Sequence, residues 1–196
     1  MRKVFLLSLL LLSISMHLLA QDLGKSRFGV KAGLNYSAQS VELNRERELS
    51  DFRTGFTIGF FKEIPLAPSI MLQPELSYNR LISRYEEKTT KLNYLSIPLL
   101  LKIHGKHFAG YFGPQFSLLL SGKSDELYGD EEDLKNSYSS ADFGGVVGFE
   151  YSFGPANRFV VSTRYQFPLS NVLKDAASGQ SVRNTGFQLT GGVRFK

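Results

Sequence analysis

The chain of 196 residues has no cysteine and no tryptophan, and beyond residue 20 it has no apolar run near the ~20 residues that a bilayer-spanning helix needs. The missing cysteine excludes a disulfide framework, a thiolate metal centre and a lipid-modified cysteine, and with the last a lipoprotein. The missing tryptophan removes the Gly-x-Trp that lipocalins usually carry near their first strand. Histidine is nearly absent as well. Past the leader only His104 and His107 remain, three apart around a short turn, and no cysteine or nearby carboxylate completes a metal-ligand set. No Gly-x-Gly-x-x-Gly or Walker sequence is present to cradle phosphate. The formal charge of +5 falls to +3 without Arg2 and Lys3, too little and too scattered for nucleic acid.

What is present begins with a leader. Met1, Arg2 and Lys3 precede an apolar run from Val4 to Leu19, and Ala20 stands before Gln21. A basic start, an apolar centre and a small residue at the cut read as a secretory signal peptide over residues 1–20, leaving a mature domain at 21–196.

That domain has a rhythm of two. Phe28, Val30, Ala32, Leu34 and Tyr36 alternate with Gly29, Lys31, Gly33, Asn35 and Ser37, and seven further segments do the same, the last reaching Phe195. Polar stretches at 38–51, 80–91, 121–140 and 168–184 follow every odd segment. Short turns at 65–68, near Gly105 and Lys106, and at 154–157 follow the even ones. In a strand such alternation gives one lipid face and one lumen face. The expected fold is therefore all-β, an eight-stranded antiparallel up-and-down transmembrane β-barrel preceded by a signal peptide. Short periplasmic turns and long external loops would place both termini in the periplasm and the protein in the bacterial outer membrane. Phe28, Tyr36, Tyr78, Phe153, Phe167 and Phe195 suit interfacial aromatic girdles.

Eight strands enclose a bore that side chains can fill. The inward face is expected to carry Lys31, Arg53, Glu75, Lys102, Glu150, Arg164 and Arg194, charges of both signs that must pair in a low-dielectric column. A salt-bridge network closing the lumen follows. The glycine pairs 29/33, 55/59 and 144/148 lie on the same face and leave room for Tyr94, Tyr111 and the arginines. The acidic block between Asp125 and Asp133 does not match a calcium loop and reads as a solvated loop. Small barrels that act on lipid A use a histidine near the outer leaflet, whereas both histidines here fall at the opposite end. No catalytic residue, cofactor or metal is expected.

Several segments resemble the PorT-like family of outer-membrane barrels: Gly29-Val30-Lys31-Ala32-Gly33-Leu34-Asn35, Leu72-Gln73-Pro74-Glu75-Leu76, Tyr94-Leu95-Ser96-Ile97-Pro98-Leu99-Leu100-Leu101-Lys102, Gly113-Pro114 and the closing Gly186-Phe187-Gln188-Leu189-Thr190-Gly191-Gly192-Val193-Arg194-Phe195. The resemblance implies an eight-stranded outer-membrane barrel of Gram-negative bacteria, in a family with one member that takes part in type IX protein secretion. Three functions stay open. The favoured one is a non-enzymatic barrel acting as a structural or interaction platform. The others are an accessory component of a secretion or envelope-assembly complex, and a soluble lipocalin-like carrier. Expected partners are outer-membrane lipids, barrel-assembly machinery during biogenesis, and secretion or envelope proteins.

Overall fold

A period of two puts alternate side chains on opposite faces of a sheet, and here one face is almost wholly apolar. In the computed structural model, which describes residues 25–43, 46–85, 88–126, 132–134, 138–174 and 180–195, that pattern becomes a sheet of ten strands. They are β1 (Arg27–Leu43), β2 (Glu46–Leu49), β3 (Asp51–Ala67), β4 (Ile70–Tyr85), β5 (Lys88–His104), β6 (Phe108–Glu126), β7 (Glu132–Asp133), β8 (Ala141–Phe153), β9 (Phe159–Pro168) and β10 (Gln180–Phe195). The eight long strands pair antiparallel with their neighbours in the chain. β1 pairs with β10 from Phe28↔Phe195 to Leu43↔Gln180, which closes the eight long strands into a barrel. β2 folds back on the far end of β1, and β7 lies along the far end of β6. Following the registers around from Arg27 through Glu63, Leu100, Val146 and Gln166 returns to Ser37, higher on β1. That stagger tilts the strands against the barrel axis.

The outside is apolar. Phe60, Phe108 and Phe149 are 65%, 72% and 69% exposed, a surface that water does not tolerate as one contiguous belt. Rings pair along it, including Tyr36 with Phe52 and Phe108 with Tyr151, each with centroids 5.0 Å apart. The inside is polar and buried. This polarity is the reverse of a soluble lipocalin-like carrier, whose pocket is apolar. No helix among the described residues is long and apolar enough to cross a membrane.

The two ends differ. At one, the turn end, β3 and β4 are joined by Pro68 and Ser69, and β8 and β9 by a turn containing the 3-10 segment Pro155–Asn157. At the other, the loop end, the strands run farther than hydropathy suggests. The expected loop at 80–91 is mostly ladder, paired from Arg80↔Asn93 to Tyr85↔Lys88 with only residues 86–87 between the strands. Likewise β1 continues to Leu43 and β6 to Glu126. Regular alternation of hydropathy ends where the outer face turns polar, but backbone hydrogen bonding continues beyond it. The expected turn at 65–68 also shrinks. Pro65 stays paired with Met71, and a register shift between Pro65 and Ala67 absorbs the irregularity. The leader at 1–20 lies outside the described residues.

Candidate functional site: the filled lumen

Parity decides which side chains enter the barrel. Residues 27, 31, 63, 75, 102, 150, 164 and 194 all sit on inward positions, and they gather into two charged clusters. Nearest the turn end, Lys102 Nζ donates to Glu63 Oε1 at 2.7 Å and to Glu150 Oε1 at 2.6 Å. Arg194 Nη2 donates to Glu63 Oε1 at 2.9 Å and also to Glu150, while its Nη1 reaches the carbonyl of Asn157 at 2.8 Å. Arg27 approaches the second oxygen of Glu63 at 3.1 Å.

Deeper in, Glu75 Oε2 accepts from Lys31 at 2.6 Å and from Arg164 at 2.8 Å, and Arg164 Nε donates to Gln188. Gln73 joins the clusters. Its Nε2 donates to Glu75 at 2.8 Å and its Oε1 accepts from Lys102 at 3.1 Å. A buried charge is tolerated only when paired and hydrogen-bonded, and each carboxylate here is bracketed by at least two cations.

Neutral polar contacts continue toward the loop end. Gln188 donates to Asn79 at 2.9 Å, Asn79 to Ser96 at 2.9 Å, and Ser96 lies 2.8 Å from Ser117. Above them is a cavity of about 30 Å³ lined by Gln115, Ser117, Asp142, Gln166 and Asn184 among others, room for about two waters. Asp142 accepts from Ser170 at 2.8 Å and Asn184 at 3.1 Å.

The loop end is then closed by an apolar cluster of Leu92, Tyr94, Leu119, Leu134, Tyr138, Val172 and Val182. Leu134, Tyr138 and Val172 come from the connecting segments, which are tied down by Tyr138 N to the Leu134 carbonyl and Ser139 N to the Val172 carbonyl. This cap has no counterpart in the sequence reading, which treats 121–140 as a polar loop and its acidic block from Asp125 to Asp133 as solvated. Its signal is the apolar Leu134 and Tyr138 just after the acidic block. Of that block, Asp125 pairs with Lys91 and Asp133 stands opposite Lys123.

Of the seven residues expected in the lumen network, Lys31, Glu75, Lys102, Glu150, Arg164 and Arg194 lie in the two clusters. Arg53 does not. It stands opposite Ser37 at the loop-end rim, 44% exposed and 3.7 Å from Asp51. Glu63 and Arg27 complete the clusters without having been expected there. Glu63 continues the inward parity of Gly55, Thr57 and Gly59, beyond the Phe60 at which the alternation of hydropathy ends. Gly148 does make room for Tyr111 and Arg164, since a Cβ there would stand 2.7 Å from each; Gly29 leaves space for the inward ring of Phe61 instead.

His104 and His107 are at the turn end, where His107 Nδ1 lies 3.2 Å from both the Ser152 carbonyl and Asn157 Oδ1. Among the described residues no three His, Cys, Asp or Glu side chains gather to hold a metal ion.

A closed antiparallel barrel, apolar outside and filled with paired charges inside, is the architecture of an integral outer-membrane β-barrel protein. The chain belongs to the family described as the outer membrane protein beta-barrel domain, which it matches over residues 19–174. Among solved structures it is similar to Neisserial surface protein A, at 15% identity and a TM-score of 0.57, over 88% of this chain and 100% of that one. It is also similar to Ail, the attachment invasion locus protein of Yersinia pestis, at 14% identity and TM-score 0.49 over 88% and 100%. OprG of Pseudomonas aeruginosa matches at 12% and 0.43 over 87% and 96%. The first of these carries the barrel fold. No curated protein matches the chain in sequence.

Proposed function

We propose that this outer-membrane barrel is non-enzymatic and works through its two ends as a structural or interaction platform, not through its lumen. The observation that carries this reading is the double closure of the bore, by interlocked ion pairs below and an apolar cap above. In this reading residues 1–20 are a removable export leader, the turn end and both termini face the periplasm, and the loop end faces outward. Outer-membrane lipids contact the apolar belt, and barrel-assembly machinery inserts it. The PorT-like motifs support placement in that subfamily and, as a second reading, an accessory role in a type IX-like secretion or envelope-assembly complex.

The test is fractionation of the native host with protease shaving, combined with uptake of small sugars by proteoliposomes. Recovery in the outer membrane, cleavage confined to the loop end and no uptake are expected. Uptake matching that of a diffusion porin, or recovery in the soluble fraction, would overturn the platform reading. Co-purification with secretion components would select the accessory role.

A further inference from the structure

Charge is unevenly divided between the two ends. Among the described residues the carboxylates of the turn end are Glu63 and Glu150, and both are already shared by Lys102, Arg194 and Arg27. Lys25, Lys62, Lys106 and Arg158 add four positive charges there, and among the described residues no carboxylate pairs with them. The loop end, by contrast, carries Glu42, Glu48, Asp51 and Asp125 among its bases.

One of these four, Arg158, lines a concavity. Arg27, Arg158 and Arg194 line a cleft of about 490 Å³ at the turn-end mouth, with Pro155, Ala156 and Phe195 as its apolar wall. Its size is that of a ligand pocket. Its rim is held in shape. Gly154, Ala156 and Asn157 all have left-handed backbone, at φ 77°, 53° and 54°. Asn157 is clasped from three sides, donating from Nδ2 to the Lys106 carbonyl at 2.7 Å, accepting from Arg194 at its own carbonyl, and meeting His107. Two non-glycine residues in that region persist only when their surroundings hold them. A rim so fixed loses little entropy when a ligand binds.

We propose that this cleft is a docking site for an acidic polypeptide segment of a periplasmic partner, one that alternates carboxylates with apolar side chains. Two features favour a peptide over lipid headgroups. Arg27 and Arg194 occupy inward positions, behind the barrel wall and away from the lipid face, whereas Lys62 sits outside over the Phe28 ring at 5.0 Å and suits the membrane surface. The wall of Pro155 and Phe195 also offers apolar contact beside Arg158, the exposed guanidinium of the cleft, and a guanidinium recognises a carboxylate by paired N–H donation. The inference deepens the platform reading and rests on it for the word periplasmic.

The test is fluorescence anisotropy with a short labelled peptide of alternating Glu and Leu, and its Gln and Leu counterpart, against the mature chain in phosphatidylcholine nanodiscs. The acidic peptide is expected to bind about tenfold more tightly than its counterpart and to weaken as salt rises. Arg158→Glu should weaken it by about tenfold, and Lys123→Gln at the loop end should leave it unchanged. Arg158 is exposed, so the variant is expected to fold, which far-ultraviolet circular dichroism checks.

Equal affinity for the two peptides, or an Arg158→Glu variant that binds like the parent, would overturn the proposal. So would capture of phosphatidylglycerol from mixed lipids without peptide binding, which assigns the cations to headgroups. Nanodiscs expose both ends, so binding is read independently of orientation in the cell. Labelling of Lys106→Cys from outside intact cells would instead overturn the periplasmic reading and leave the binding result standing.

Discussion

Glu75 holds two cations in the middle of the lumen, and neither Lys31 nor Arg164 reaches another carboxylate among the described residues. Glu75→Gln would leave both positive groups buried and facing each other. Removing one partner from such a set costs about 3–5 kcal/mol, so the urea midpoint in detergent micelles should fall steeply. Arg53→Gln, at the exposed rim beside Asp51, should cost less than about 1 kcal/mol. Similar losses in the two variants would contradict the placement of Glu75. Glycines divide in the same way. Gly148→Ala puts a Cβ 2.6 Å from the Thr163 carbonyl and should cost about 1–3 kcal/mol, whereas Gly191→Ala meets nothing within 4 Å and should be close to neutral in the same titration. At this scale the sequence is legible where parity is unbroken, as for Lys102 and Glu150. It misleads at Arg53, whose position opposite Ser37 lies at the open rim, and at Glu63, where Pro65 invites an early end to the strand.

Elements were readable from the sequence only as far as lipid reaches. Within the belt every outward residue has to be apolar, so hydropathy reports each strand and its face. Above the belt the outer face no longer has to be apolar, and Arg80 to Tyr85 opposite Lys88 to Asn93 carry no regular alternation although they are fully paired and Leu92 is buried in the cap. Hydrogen exchange distinguishes strand from loop directly. Amides at 80–85 and 88–93 that point into the β4–β5 and neighbouring ladders are expected to exchange far more slowly than an unstructured peptide of the same sequence. Exchange at the peptide rate would mean that the strands stop where hydropathy does. The cap was hidden for a different reason. Leu134 and Tyr138 lie in one polar segment and Val172 in another more than thirty residues on, so only the closed fold shows that they meet Leu92 and Leu119.

Over the whole molecule, closure is provided twice, by different forces. The cap is held by apolar burial, and Leu134→Ala is expected to loosen it at a cost of about 2–5 kcal/mol to the local packing. The two charged clusters lie below and do not depend on it, so the bore should stay shut in that variant. The most direct measurement of this account is single-channel recording of the purified mature chain in a planar bilayer, with the parent and Leu134→Ala side by side. Both are predicted to give no steady conductance. Large, stable steps from the parent would contradict a lumen filled by Glu63, Glu75, Glu150 and their cations, and with it the claim that this barrel acts through its ends.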